Sequence, residues 1–331
     1  MALPHARRAA ALALATGRDA RRRAVRPRSF ITLDDLDARA LAHVVGQGLA
    51  MKRRPAEYAQ ALAGRAVALL FQKTSTRTRC SFEAAAREMG AQADYLDWSR
   101  SNFVLAELRD EIAVMSRYCD LIVARVDRHE SLRTMAAHSE VPVVNGLCDQ
   151  HHPCQAVADM LTLKEYFGPD LRGLRLAYVG DGNNVCRSLV QAATRFGVDV
   201  TVSSPAGYEL DDVTASQGGP LLRRVADPRA AVEGADVVYT DTWVSMGQES
   251  QLEQRRAAFA GWQVDAALMD AAPAALFMHC LPAHPGLEVT AEVLRSPRSI
   301  VLDQAENRKH AHKALLAWLL DARAQAVAQA A

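Results

Sequence analysis

The sequence predicts an α/β protein of two domains, each a parallel sheet flanked by helices, with a C-terminal helix packing back on the first domain. Three observations predict this. Short apolar runs alternate with helical patterns along the chain. The runs are continuous rather than alternating, as strands buried on both faces require. The 331 residues, half of them hydrophobic, suffice for two cores of ordinary size.

The first 28 residues carry eight Arg, many Ala and a single acid, Asp19, and read as a disordered tail or as an organelle transit peptide. From Ser29 onward the strand candidates are "AVALLF", "DLIVARV", "VPVVNG", "RLAYVGD", "VDVTVSS", "DVVYTDTW", "LFMHCLP" and "SIVLD", most of them followed by a helical pattern. "YFGPDLRG" carries the Gly/Pro punctuation of a linker. The expected layout is a tail over 1–28, one domain over 29–167, a second over 168–304 and a C-terminal helix over 305–331. That helix has an apolar stripe through Leu315, Leu316, Leu319 and Leu320 that must be covered.

Composition excludes several functions. Lys and Arg (39) nearly balance Asp and Glu (38), which argues against a nucleic-acid binder. No apolar stretch approaches the ~20 residues needed to span a bilayer. The cysteines, Cys80, Cys119, Cys148, Cys154, Cys186 and Cys280, show no CxxC pairing and read as free thiols in a reducing cytoplasm.

In an open parallel sheet, ligands bind outside the carboxyl ends of the strands, so functional polar residues should follow the apolar runs. They do. Ser75-Thr76-Arg77-Thr78 follows the first run, Arg125 ends the second, and His151-His152-Pro153-Cys154-Gln155 follows the third. A helix start supplies free N–H groups and a positive dipole end, so added hydroxyls and a guanidinium make a phosphate site. Ser or Thr there also caps helices routinely. The glycines and Lys of a Walker loop are absent.

The second half is built for a different ligand. Asp181-Gly182-Asn183-Asn184 follows "LAYVG", "DTWVSMG" offers Asp241 and Ser245, and His279-Cys280-Leu281-Pro282 ends "LFM". An acid with amide and hydroxyl groups suits an amino acid, the carboxylate pairing with its ammonium. "GDGNN" lacks the GxGxxG spacing of a dinucleotide loop.

"STRTR", "HPCQ", "DTWVSMG" and "HCLP", in this order, resemble the ornithine carbamoyltransferases from Ser29 to about Leu320. The first two motifs are shared with aspartate carbamoyltransferases; "SMG" and "HCLP" favour ornithine. The resemblance implies that Ser75, Thr76, Arg77, Thr78, Arg125, His152 and Gln155 bind carbamoyl phosphate and that Asn184, Asp241, Ser245 and Met246 hold ornithine. Cys280, Leu281 and Arg308 would close the site against carbamoyl phosphate, with Arg125, His152, Cys280 and Arg308 as the catalytic set. It also implies cytoplasmic trimers or multiples of trimers in arginine biosynthesis. Two stretches depart from the family pattern, "SRSNFVL" at Ser99–Asn102 and "HCLPAHPGLEVT" at His284-Pro285.

The implied reaction is direct transfer, needing no metal, cofactor or covalent enzyme intermediate. The δ-amine attacks the carbamoyl carbon, Thr78, Arg125 and His152 stabilise the oxygen charge, and phosphate leaves onto the helix terminus and Arg77. The free amine titrates at ~10.4, so activity should rise with pH. The alternatives are transfer to putrescine, an N-acylated ornithine or aspartate, or a non-catalytic carbamoyl phosphate-binding homologue.

Overall fold

The computed structural model describes residues 28–244 and 249–330, and within the second stretch the side chains of 249 and 322–330 are not described. All but the last residue of the expected N-terminal tail lies outside the described residues.

Two parallel sheets form. The first holds β1 (Ala66–Phe71), β2 (Gln92–Asp97), β3 (Leu121–Arg125) and β4 (Val143–Leu147) in the order β2-β1-β3-β4. The second holds β5 (Arg175–Val179), β6 (Asp199–Ser203), β7 (Leu222–Val225), β8 (Val237–Thr240) and β9 (Leu276–His279) in the order β7-β6-β5-β8-β9. Helices cover both, as the continuous apolar runs require: β3 is buried along its whole length.

The expected strand "SIVLD" is corrected. Ser299 makes one isolated bridge to Phe277 and the Ile300 N–H donates to the Phe277 carbonyl, but Val301 begins a helix that runs to Ala330. Leu302, which a buried strand would enclose, is 77% exposed on that helix. Conversely, β2 ("QADYLD") and β7 ("LRRV") have no continuous apolar run, because each lies at a sheet edge with residues facing water.

The C-terminal helix returns to the first sheet's side of the molecule. It packs on the helices Ala38–Arg53, Thr76–Glu88 and Pro153–Phe167. Its stripe, Leu315, Leu316, Leu319 and Leu320, is buried in the same core as Leu41, Val45 and Leu161. Each leucine buried there contributes about 1.5–3 kcal/mol. Among the described residues no helix is long and apolar enough to cross a membrane.

The strand orders fix where a ligand can sit. In the first sheet the chain leaves β1 for β2 on one side and returns to β3 on the other, so strand order reverses between β1 and β3. In the second it reverses between β5 and β8. At such a point the loops diverge to opposite faces and leave a crevice at the carboxyl ends. The loop 72–75 and Arg125 stand at the first crevice, and Asp181–Asn183 and Asp241 at the second.

Candidate active site

Both crevices open into one cleft of about 1040 Å³. Its first wall is Lys73 to Arg77, Arg125, His152 and Arg308; its second includes Asp181 to Asn184, Asp241, Cys280 and Leu281.

Ser75 is the N-cap of the Thr76–Glu88 helix, its hydroxyl accepting from the Thr78 N–H at 3.2 Å. The capping and anion-binding readings are therefore compatible, since a hydroxyl that accepts still has its proton to donate. Thr78 is fully buried one turn in. Its Oγ1 accepts from Arg308 Nη2 at 2.7 Å, and Arg125 Nη1 lies 3.5 Å away. Arg308 Nη1 also donates to Gln155 Oε1 at 3.0 Å.

Arg125 and Arg308 are 5% and 3% exposed, and neither pairs with a carboxylate among the described residues. Burial, followed by the charges of Arg308 and Arg77, lowers Arg125 to about 10. Burial likewise lowers Arg308. Buried like charges without counterions are costly, and an anion in the cleft removes that cost. His152 caps the Pro153–Phe167 helix, and its backbone N–H donates to Ser188 Oγ at 2.9 Å on the second domain. Burial, then Arg308 and Arg125, pushes its ring far below the ordinary histidine range, so it is a neutral imidazole. A neutral ring can donate one N–H to a developing oxyanion without adding another charge.

On the opposite wall Asp241 is held from two sides. Its Oδ2 accepts from Asn183 Nδ2 at 2.8 Å and its Oδ1 from the Cys280 thiol at 3.0 Å. Burial and the adjacent Asp241 push Cys280 well above the usual thiol range, so it is no thiolate nucleophile. The Leu281 N–H donates to His279 Nδ1 at 2.9 Å, which leaves the proton of that ring on Nε2, facing Glu288 Oε1 at 3.2 Å. The ligand atoms of Asp241, His279 and Cys280 lie within 4.8 Å of one another, but hydrogen bonds already engage each of them.

The other residues singled out from the sequence divide. Thr78 and Gln155 stand behind the wall rather than on it. Asn184 lines the cleft, but its Nδ2 is turned to the Cys148 carbonyl at 2.7 Å, and its neighbour Asn183 reaches Asp241. Ser245 and Met246 lie outside the described residues. None of Ser99–Asn102 lines the cleft; His284 does, 3.2 Å from Thr242 Oγ1.

Sequence reasoning missed a buried ion pair. Arg255 Nη1 meets Asp181 Oδ2 at 2.6 Å and the Trp243 carbonyl at 2.7 Å, tying the "DTW" loop to the β5 loop. Arg255 sits in "LEQRRAA", which resembles any solvated helix face, so no local signal marks it. Gly182 allows a close backbone approach that a side chain would block: a Cβ there would meet the Leu210 nitrogen at 2.4 Å.

Comparison with known proteins agrees along the chain. Residues 28–165 match the model of the aspartate/ornithine carbamoyltransferase carbamoyl-P binding domain, and 172–319 that of the Asp/Orn binding domain. An ornithine carbamoyltransferase of Symbiobacterium thermophilum is 47% identical over 304 residues, 88% of this chain and 98% of that one. The crystal structure of ornithine carbamoyltransferase from Thermus thermophilus is similar with a TM-score of 0.82 at 41% identity, covering 89% of this chain and 99% of that one. The Pyrococcus furiosus structure gives 0.83 at 42%, covering 88% and 96%.

Proposed function

Because the chain belongs to the aspartate/ornithine carbamoyltransferase family, we propose that it transfers the carbamoyl group of carbamoyl phosphate to the δ-amine of L-ornithine, giving L-citrulline and phosphate. One observation carries this reading: two buried guanidiniums, without a carboxylate partner among the described residues, face the same cleft as a buried aspartate. A dianionic donor and an α-ammonium acceptor are the pair that this charge separation suits.

In this reading the phosphate sits on the amino end of the Thr76–Glu88 helix with Ser75, Thr76 and Arg77, and the carbamoyl oxygen lies toward Arg125, His152 and Arg308. Thr78 and Gln155 act from behind by holding the two buried arginines. Asp241 receives the α-ammonium, with Asn183 and Asn184 beside it. Ser245, Met246 and Leu281 complete the amine side. The neutral δ-amine forms the new C–N bond, the C–O bond to phosphate breaks, and the proton lost by the amine nitrogen leaves with the phosphate as hydrogen phosphate. Cys280, kept as a thiol, serves as a contact. A domain boundary at Gly168 is supported by its φ of +94° at the end of the Pro153–Phe167 helix.

Buried thiols outside any disulfide, Cys148, Cys154, Cys186 and Cys280, support a cytoplasmic protein. An exposed apolar group on the first domain, Val104, Leu105, Val114 and Tyr118, supports self-assembly into trimers or their multiples.

The test is citrulline formation from carbamoyl phosphate against ornithine, putrescine, lysine, aspartate and N-acetylornithine. Preference for ornithine by at least tenfold in kcat/KM is expected. Preference for another amine would move the assignment to that acceptor, and no turnover with any would leave only carbamoyl phosphate binding.

A further inference from the structure

Asp159, in the middle of the Pro153–Phe167 helix, is a fully buried carboxylate with no cation at ion-pair distance among the described residues. It accepts three hydrogen bonds from three elements. Oδ1 takes Gln155 Nε2 at 2.9 Å, one turn earlier on the same helix, and Gln304 Nε2 at 2.8 Å from the C-terminal helix. Oδ2 takes the Tyr239 hydroxyl of β8 at 3.3 Å. Gln304 Nε2 also lies 3.0 Å from the Tyr239 hydroxyl, and Gln304 Oε1 accepts the His279 N–H at 2.9 Å. A buried carboxylate persists only where donors satisfy it, and no feature of the cleft accounts for one here.

We propose that Asp159 is a positioning residue that fixes the amide of Gln155 and, through it, the guanidinium of Arg308. An ionised carboxylate only accepts, so the amide nitrogen of each glutamine must face it. The Gln155 oxygen is then turned toward Arg308, where it accepts Nη1 at 3.0 Å while Nη2 goes to Thr78. A flipped Gln155 would offer N–H groups to a cation that has only N–H groups. The same logic fixes Gln304 with its oxygen on the His279 N–H, beside Cys280. One carboxylate thus sets the hydrogen-bond direction on both walls of the cleft. Its burial raises it to about 6, and the Gln155, Gln304 and Tyr239 donors, with Arg308 beyond, act to keep it ionised.

The inference rests on the proposed transfer reaction, and the test separates the two. Wild type, D159N, D159L, Q155L and the double variants D159L/Q155L and D159N/Q155L are compared for kcat/KM toward carbamoyl phosphate at saturating ornithine, for melting temperature, and for inorganic phosphate binding by calorimetry. An asparagine oxygen can still accept from both glutamines, so D159N should stay within about threefold of wild type. D159L should lose at least tenfold per folded molecule, and D159L/Q155L no more than the worse single variant, because both break one linkage. Equal activity of D159L and wild type, or multiplicative losses in the double variant, overturns the inference. If D159L does not fold, the pair Q155L and D159N/Q155L decides: Q155L must itself lose at least tenfold, and adding D159N must change nothing further. An inactive wild type that binds phosphate would instead refute the transfer reading.

Discussion

Arg125 and Arg308 converge on a single hydroxyl: Arg308 Nη2 lies 2.7 Å and Arg125 Nη1 3.5 Å from Thr78 Oγ1. Neither has a carboxylate partner among the described residues, so folding brings together two like charges that a bound anion would relieve. Inorganic phosphate should therefore stabilise the protein. At a hundred times its Kd the expected gain is about 2.7 kcal/mol, which melting curves read as a rise of several degrees that chloride at equal ionic strength does not reproduce. An R308L variant should lose most of that rise. A phosphate-insensitive wild type would contradict the anion site.

Arg77 lines the same cleft from a half-buried position without an ion pair among the described residues. R77A should melt near the wild-type temperature and bind carbamoyl phosphate more weakly by about 1.5–3 kcal/mol, the worth of a charge-assisted hydrogen bond. Calorimetry on the folded variant measures this, and unchanged affinity would remove Arg77 from the phosphate cradle.

Both Asp241 oxygens accept hydrogen bonds, one from Asn183 and one from Cys280. D241N should lower kcat/KM for ornithine at least tenfold, since ~1.4 kcal/mol is a factor of ten. Carbamoyl phosphate affinity should change little, and any weak turnover of putrescine, which has no α-ammonium, should be spared. Equal losses on both diamines would mean that Asp241 serves the reacting amine or the fold.

His312 stacks on Phe82 with ring centroids 3.7 Å apart and 6° between planes, and both its ring nitrogens lack a hydrogen-bond partner among the described residues. Burial, then Arg308, holds its pKa well below the ordinary 6.5. As pH falls through 6.5 the unfolded chain binds a proton that the folded one refuses, so stability drops on acidification. Each such histidine contributes up to about 1.36 kcal/mol per pH unit. His152, facing Arg308, Arg125, His312 and Arg77, acts in the same direction. Denaturant melts at pH 7.5, 6.5 and 5.5 should show H312F with a slope shallower by about one proton, other groups cancelling in the comparison. Identical slopes would show that His312 is protonated in the folded state.

The alternation of apolar runs with helical patterns determined the α/β class, because strands buried on both faces cannot hide their composition. "AVALLF" and "DLIVARV" are strands for that reason, and the polar residues after them are at strand ends because a parallel sheet leaves no other place for them. Edge strands escaped the same reading: "LRRV" pairs on one side only and can carry two arginines. "SIVLD" misled because a run of five residues fits one bridge and a helix start as well as a strand.

Local pattern suffices for the class of fold, for the strand ends where chemistry collects, and for the charged and polar residue types at the site. How those residues meet follows from packing. Thr78 and Arg308 are 230 positions apart, and their 2.7 Å contact exists because the leucine stripe of the C-terminal helix is buried against the first domain. Asn183 rather than Asn184 reaches Asp241, and Gln155 is held between Asp159 and Arg308, because hydrogen-bond direction depends on which donors packing brings within about 3 Å. Periodicity and composition are local properties of a chain; the pairing of buried polar groups depends on every element packed around them.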